Sequence, residues 1–366
     1  MQRRQLIKKS ALAMAAFAFS REAFSRETEF LLADRLPGTI IKLSSNENPH
    51  GPSPMARKAM TAAVNSSNRY PWETTTQLRE KIAALYSLSK EHVVIGAGSS
   101  ELLGVASAWA SLQKGNVVAP DPTFRLWIPA AKKMGLAIKL VPLTKAKVTD
   151  LQQMKDAIDA GTKMIYICNP NNPTGTVVPA ADLEAFIKQV PSSTMILLDE
   201  AYTEFSEEPS MAPLVNDHPN LVIAKTFSKI HGMAGARIGY ALAHPQTIKQ
   251  LNELQAWANA GAGAVSLAGA LASLDDKDFT KFCKEENRRA RDVFYNALKK
   301  AGMPYIPSVT SFVYFDSAPY GKDVKAVLEA KGIIGARVFE EGSSWLRLSV
   351  GTVEEMTAVA NALNTN

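Results

Sequence analysis

Cysteine is nearly absent: Cys168 and Cys283 are the two in 366 residues. That is too few for a disulfide framework, and with no Cys/His cluster there is no signal for a structural zinc or any other metal. Cys168 ends the apolar run from Met164 and reads as a small core residue. Low-complexity tracts are also missing. Charged residues make up 21% and hydrophobic ones 46%, so disorder is expected only at the ends. A positive surface is missing too, although the net charge is +6. Arg3, Arg4, Lys8, Lys9 and Arg21 face Glu22 alone in residues 1–25, and the remainder holds 36 basic and 34 acidic residues. No basic stripe with interleaved aromatics follows, which argues against a nucleic-acid partner. What is present is length and apolar content sufficient for a large core and more than one ordinary domain.

Residues 1–25 have the form of an export signal, with a charged start followed by the apolar stretch Ala11–Phe19. That stretch is too short to span a bilayer, which takes about 20 residues, so no stable membrane insertion is expected. The order Arg3-Arg4-Gln5-Leu6-Ile7-Lys8 resembles a twin-arginine signal, which carries folded proteins and would place this one in the periplasm or outside the cell. The alternative is an amphipathic arm on a cytoplasmic protein. Ala18-Phe19-Ser20 and Ala23-Phe24-Ser25 both fit a small-x-small cleavage pattern.

From about residue 90, short apolar runs alternate with helical spacing. Val93–Ile95, Asn116–Ala119, Met164–Ile167, Met195–Leu198 and Leu221–Ala224 read as strands, and Leu151–Ala160 and Ala180–Val190 as helices. Such alternation predicts an α/β fold with a mostly parallel sheet between helices, and ligands beyond the carboxyl ends of its strands. After about residue 245 the pattern changes. A charged helical stretch, Phe279–Ala301, precedes short strands at Ser311–Phe315 and Trp345–Val350. Helices at about Lys322–Lys331 and Val353–Leu363 complete a smaller α+β domain. The expected division is an arm over 26–58 contributing to the small domain, a large domain over 59–248 and the small domain over 249–366.

The polar motifs fall at the ends of the predicted strands. In Thr226-Phe227-Ser228-Lys229, with Arg237 eight residues on, a lysine sits among hydroxyls and an arginine that suit a phosphate. A lysine that joins a carbonyl must be partly desolvated to lose its proton. Taken alone it would read as a surface lysine. Asp199-Glu200-Ala201-Tyr202 places a carboxylate and a phenol after an apolar strand; a helix cap and a packed tyrosine is the alternative. Asn169-Pro170-Asn171-Asn172-Pro173-Thr174-Gly175 is a turn cluster. Gly98, Ser99 and Ser100 follow a strand and open a helix, where amides and the helix dipole favour an anion. Arg347, in an apolar strand, calls for an anion: a bound carboxylate or phosphate, or a structural salt bridge.

In this order, and with Leu43-Ser44-Ser45-Asn46-Glu47-Asn48-Pro49 and Arg69-Tyr70-Pro71, the motifs resemble those of the fold-type I, class I/II aminotransferases, above all the histidinol-phosphate aminotransferase branch. The resemblance spans about residues 38 to 363. It implies pyridoxal 5′-phosphate as cofactor, a seven-stranded large-domain sheet, and Lys229 as the Schiff-base lysine and proton shuttle. It implies Asp199 at the pyridinium nitrogen, with Tyr202 and Asn172 at the phenolic oxygen. Thr226, Ser228, Arg237, Gly98, Ser99 and Ser100 would hold the phosphate, and Phe124 would stack on the ring. Tyr70 would reach the cofactor of the neighbouring subunit in a homodimer with shared active sites. Arg347, Arg337 and Asn48 would contact the substrate. The implied reaction is ping-pong transfer of an amino group between an amino acid, or a histidinol-phosphate-like amine, and a 2-oxo acid. Ser100 departs from the family's usual aspartate, His231 from an aromatic, and Ser311 from an asparagine. An exported enzyme would sit badly with histidine biosynthesis, which is cytoplasmic. Two alternatives remain: a decarboxylase or racemase on the same fold, since the pocket selects the bond that breaks, and a non-catalytic binding protein that kept the fold.

Overall fold

The computed structural model describes residues 40–364. The expected export signal and residues 26–39 of the expected arm lie outside the described residues.

The chain enters through a short strand, β1 (Ile41–Lys42), and two helices, α1 (Pro54–Ala63) and α2 (Trp72–Leu85). Ser53 caps α1 by accepting from the Ala56 amide, and Pro54 occupies the first turn, where its missing N–H costs nothing. The large unit continues through β2 (Val93–Gly96), α3 (Ser99–Leu112), β3 (Asn116–Asp121), α4 (Ile128–Lys133), β4 (Ala137–Pro142), α5 (Leu151–Asp156), β5 (Thr162–Cys168), α6 (Ala180–Gln189), β6 (Met195–Asp199), β7 (Leu221–Thr226) and β8 (Gly239–Ala243). The strands lie in the order β2-β8-β7-β6-β5-β3-β4. All are parallel except β8, which runs antiparallel to both neighbours.

Strands β5 to β8 are buried almost throughout, which is why they read as unbroken apolar runs. Alternate residues supply a core on each face. Ile165, Ile167, Ile196, Leu198 and Ile223 fill one; Met164, Tyr166, Leu197, Val222 and Ala224 fill the other. Because β8 is reversed, its first residue, Gly239, lies beside Thr226 and Gly96 at the carboxyl ends of β7 and β2. The polar motifs predicted at strand ends therefore share one edge of the sheet.

Helices α7 (Pro245–Leu254), α8 (Ala264–Ser273) and α9 (Lys277–Lys300) lead to the smaller unit, with β9 (Tyr305–Ile306), β10 (Phe312–Asp316), α10 (Val324–Glu329), β11 (Ile333–Ile334), β12 (Arg337–Val338), β13 (Trp345–Ser349) and α11 (Val353–Asn364). An antiparallel sheet β12-β13-β10-β9 packs on α9 and α11 around Phe294, Leu298, Phe315, Leu348 and Val359. Strand β1 pairs with β11 and Leu43 joins this core, so the start of the described arm belongs to the small unit.

Both expected boundaries need correcting. Ala262, Leu267 and Ala270 sit in the core of the large unit, with α8 packed on α1 closely enough that a Cβ on Gly269 would meet Met60. Residues 249 to about 275 therefore go with the large unit, and the break falls before α9. Ala56 is in that same core, so residues 54–58 leave the arm for the large unit as well.

Candidate active site

Lys229 stands three residues beyond β7, half-buried, with Nζ donating to the Ser45 carbonyl at 3.1 Å and lying 5.5 Å from the Tyr202 ring. Burial first, and the Arg347 charge second, lower its pKa to about 8. Such an amine is far more readily neutral, and so nucleophilic, than an exposed lysine.

Asp199 closes β6 and is buried. It accepts from Tyr166 Oη at 3.1 Å and from the Ala201 amide at 3.1 Å, and no ion pair reaches it among the described residues. Burial raises its pKa to about 6. Tyr166 belongs to none of the sequence motifs, and its signal is positional: Cys168 lies opposite Asp199, and Tyr166, two residues earlier on β5, shares that face.

Tyr202 is buried against Phe312, and its oxygen accepts from Asn46 Nδ2 at 2.9 Å. Asn172 Oδ1 accepts from Arg347 Nη1 at 2.7 Å. Arg347 also donates to the Ser44 carbonyl at 2.8 Å and lies near the rings of Phe339 (4.7 Å) and Phe312 (5.4 Å). Its Nε is buried and has no partner among the described residues, and burial lowers its pKa to about 10. Arg337 lies directly opposite it on β12 and adds to that lowering. No carboxylate pairs with Arg347 among the described residues, so a structural salt bridge does not explain it.

A cradle for an anion forms where β2, β7 and β8 meet. Arg237 reaches Ser100 Oγ at 3.0 Å, and its guanidinium lies so close to Gly98 (φ +83°) that a Cβ there would collide with it. Gly239 is confined in the same way, by the Ser99 amide and the Lys225 carbonyl. Thr226 Oγ1 donates to Ser228 Oγ at 2.9 Å beside them. A guanidinium, hydroxyls and the amides opening the 14-residue helix α3 suit a phosphate.

These residues fit pyridoxal 5′-phosphate: the anion cradle for its phosphate, the buried unpaired Asp199 for its ring nitrogen, and Lys229 for its aldehyde. When bound, the group supplies an aldehyde that amines join and a ring that draws electrons from the substrate's α-carbon. Phe124, half-buried, packs beside the core that holds Tyr166 and Cys168.

Other predicted residues are placed differently. Both amide protons of Asn48 are engaged, by the Ile230 carbonyl at 2.8 Å and Cys283 Sγ at 3.2 Å, and its Oδ1 accepts from the His50 amide. It braces the loop after Lys229 and has no donor left for a substrate. Tyr70 is 68% exposed, stacked on Trp72 and edge-to-face with Trp257, and among the described residues is not joined to this chain's own cluster. His231 is packed: its ring lies 5.0 Å from Phe227, Nδ1 is buried with no partner among the described residues, and burial lowers its pKa to about 4. A further missed group is Lys225, buried in β7 and paired with Glu200 at 3.1 Å and Glu204 at 2.9 Å. A lysine inside an apolar run was its signal.

The shifted groups set a pH dependence. Asp199 has a raised folded pKa, so between pH ~4 and 6 the folded state holds the extra proton and stability falls as pH rises, by about 3 kcal/mol. Lys229 has a lowered one, so between pH ~8 and 10.5 the unfolded state holds the extra proton and stability rises. Chemical denaturation of the cofactor-free protein across pH should show Asp199→Asn flattening the first limb and Lys229→Met the second. Parallel curves for wild type and both variants would contradict these assignments.

The model of the class I and II aminotransferases matches residues 38–363. The chain is 38% identical over 327 residues to the histidinol-phosphate aminotransferase of Symbiobacterium thermophilum, covering 88% of this chain and 90% of that one. It is 35% identical to histidinol-phosphate aminotransferase 2 of Ralstonia nicotianae, over 88% of each chain. Among solved structures, the histidinol-phosphate aminotransferase of Sinorhizobium meliloti in complex with pyridoxal-5′-phosphate superposes with a TM-score of 0.82 at 27% identity, covering 91% of this chain and 92% of that one. The aspartate aminotransferase of Thermus thermophilus with maleate shares the fold, at a TM-score of 0.80 and 21% identity over 92% and 94%. A softened lysine, a buried carboxylate and an arginine-lined anion cradle at one sheet edge thus coincide with a match over nearly the whole described chain, which belongs to the class I and II aminotransferases and is a pyridoxal-phosphate-dependent aminotransferase.

Proposed function

We propose that the enzyme transfers the amino group of a small amine bearing a carboxylate or phosphate to a 2-oxo acid, with Arg347 holding the acidic group. The observation that carries this is the buried Arg347 guanidinium, flanked by Phe312 and Phe339, with an unpartnered Nε and no carboxylate of the described chain to neutralise it. A buried cation without a counterion is costly, and a bidentate anion offsets that cost. Arg337 adds positive charge beside it and favours a doubly charged group such as a phosphate ester. Lys229 bonds the cofactor and moves the proton, and Asp199 pairs with the ring nitrogen. Tyr202 and Asn172 face the phenolic oxygen. Gly98, Ser99, Ser100, Thr226, Ser228 and Arg237 hold the phosphate, and Phe124 flanks the ring.

The relatives named for histidinol phosphate make that amine the first donor to test, beside aromatic, basic and acidic amino acids, with 2-oxoglutarate and pyruvate as acceptors. Nitrogen transfer from at least one anionic donor is expected. Activity confined to amines lacking an acidic group would contradict the role of Arg347.

Two further readings go with this one. The exposed Tyr70, Trp72 and Trp257 cluster favours a homodimer in which Tyr70 reaches the partner's cofactor phosphate. Light scattering should give twice the chain mass, and a monomer that keeps full activity would sink this reading. Arg3 and Arg4 before Ala11–Phe19 favour export by the twin-arginine route. Replacing both with lysine should trap the protein in the cytoplasm, and unchanged fractionation would count against export.

A further inference from the structure

Tyr202 is held from the side of the arm. Asn46 Nδ2 donates to its oxygen at 2.9 Å. At the other end of that amide, Oδ1 accepts from Ser349 Oγ at 2.8 Å, while the Asn46 backbone N–H donates back to Ser349 Oγ at 2.8 Å. All three residues are buried. A hydroxyl has one proton, and that of Ser349 goes to Oδ1. If the amide were turned over, two donors would face Ser349 Oγ and its proton would lose this acceptor. The network therefore fixes the amide orientation. Tyr202, accepting from Asn46, must aim its own O–H elsewhere, and no acceptor for it is found among the described residues.

The connection reaches the substrate-binding strand. Ser349 lies two residues beyond Arg347 on β13, so the two side chains share a face. Arg347 donates to the Ser44 carbonyl, and the Ser349 amide donates to the Leu43 carbonyl at 3.0 Å. Strand β13 thus grips the arm at residues 43, 44 and 46, and Asn46 carries that grip across to Tyr202. Asn46 adopts φ +55°, a left-handed conformation that asparagine tolerates better than most residues.

We propose that Asn46 is a positioning residue for Tyr202: it turns the Tyr202 hydroxyl proton toward the cofactor's phenolic oxygen and ties that orientation to β13. This rests on the assignment of Tyr202 to that oxygen under the proposed function. A proton aimed at the phenolic oxygen stabilises its negative charge and lowers the proton affinity of the neighbouring lysine–cofactor linkage. Without Asn46 the hydroxyl is free to rotate and the lowering weakens.

The test is a spectrophotometric pH titration of the visible band of the holoenzyme, with no substrate present. Asn46→Gly removes the side chain while keeping φ +55° accessible, and Ser349→Ala removes the anchor without touching Tyr202. Both should raise the titration midpoint, Asn46→Gly by about half a unit to one unit, as expected for one hydrogen bond. Tyr202→Phe should raise it at least as far, and adding Asn46→Gly to Tyr202→Phe should produce no further shift. A purely structural Asn46 would leave the midpoint in place. An unmoved midpoint in Asn46→Gly beside a clear shift in Tyr202→Phe would overturn the inference alone. An equal Asn46→Gly shift in both backgrounds would overturn it too. If Tyr202→Phe itself leaves the midpoint unchanged, the assignment of Tyr202 falls and the inference with it.

Discussion

Lys229→Ala should abolish amino transfer, with a loss of at least about 10⁴-fold in turnover, because nucleophile and proton carrier are lost together. The visible band of lysine-bound cofactor should vanish with it, while the fold persists, since Lys229 is half-buried and makes one hydrogen bond to a carbonyl. Lys229→Arg should fail as completely. It keeps the charge at the Ser45 carbonyl, but a guanidinium does not lose its proton in a protein. The comparison separates charge from nucleophilicity, and the lowered lysine pKa of about 8 is the reason to expect nucleophilicity to matter. Stopped-flow absorbance during a half-reaction with amino donor alone reads the loss without depending on the acceptor. Turnover within tenfold of wild type would end the assignment.

The second large effect is at Arg347. Arg347→Ala should lower kcat/KM for anionic donors by about 10²–10⁴-fold, which corresponds to ~3–5 kcal/mol for removing one partner of a buried charge pair. Cofactor loading should survive, because Arg347 lies outside the phosphate cradle and engages only Oδ1 of Asn172. Arg347→Lys should not restore the rate, since an ammonium lacks the planar fork. Steady-state kinetics on paired donors, one with an acidic group and one without, gives the readout. An equal loss on both would mean that Arg347 supports the fold and not the substrate.

The large sheet was legible because a sheet covered on both faces leaves unbroken apolar runs, and five of its strands announce themselves that way. Edge strand β4 did not, because Ala137, Leu140 and Pro142 are exposed and Lys139 points to Asp159. The antiparallel course of β8 was not legible either; Gly239–Ala243 is short and apolar whichever way it runs. The boundary at 248 followed a change in pattern, but packing sets the boundary, and α8 is an apolar helix whose partner is α1, some 200 residues earlier in the chain.

The residues of the candidate site were legible for another reason. Lys229, Asp199, Asn172 and Arg237 follow strands within short motifs, so sequence spacing carries their geometry. Asn46 and Ser349 are 303 residues apart and meet only when β13 closes on the arm. Asn48 was misplaced for the same reason: its partners Ile230 and Cys283 are remote in sequence. Two asparagines in one motif, Asn46 and Asn48, turn out to do different work, and only tertiary contacts distinguish them.

Borohydride reduction of the holoenzyme, followed by proteolysis and mass spectrometry, tests whether Lys229 is the residue bonded to the cofactor. One phosphopyridoxyl adduct per chain is expected, on the peptide containing Thr226-Phe227-Ser228-Lys229. An adduct on another lysine, such as the buried Lys225, or no adduct at all in protein that still transfers amino groups, would contradict it.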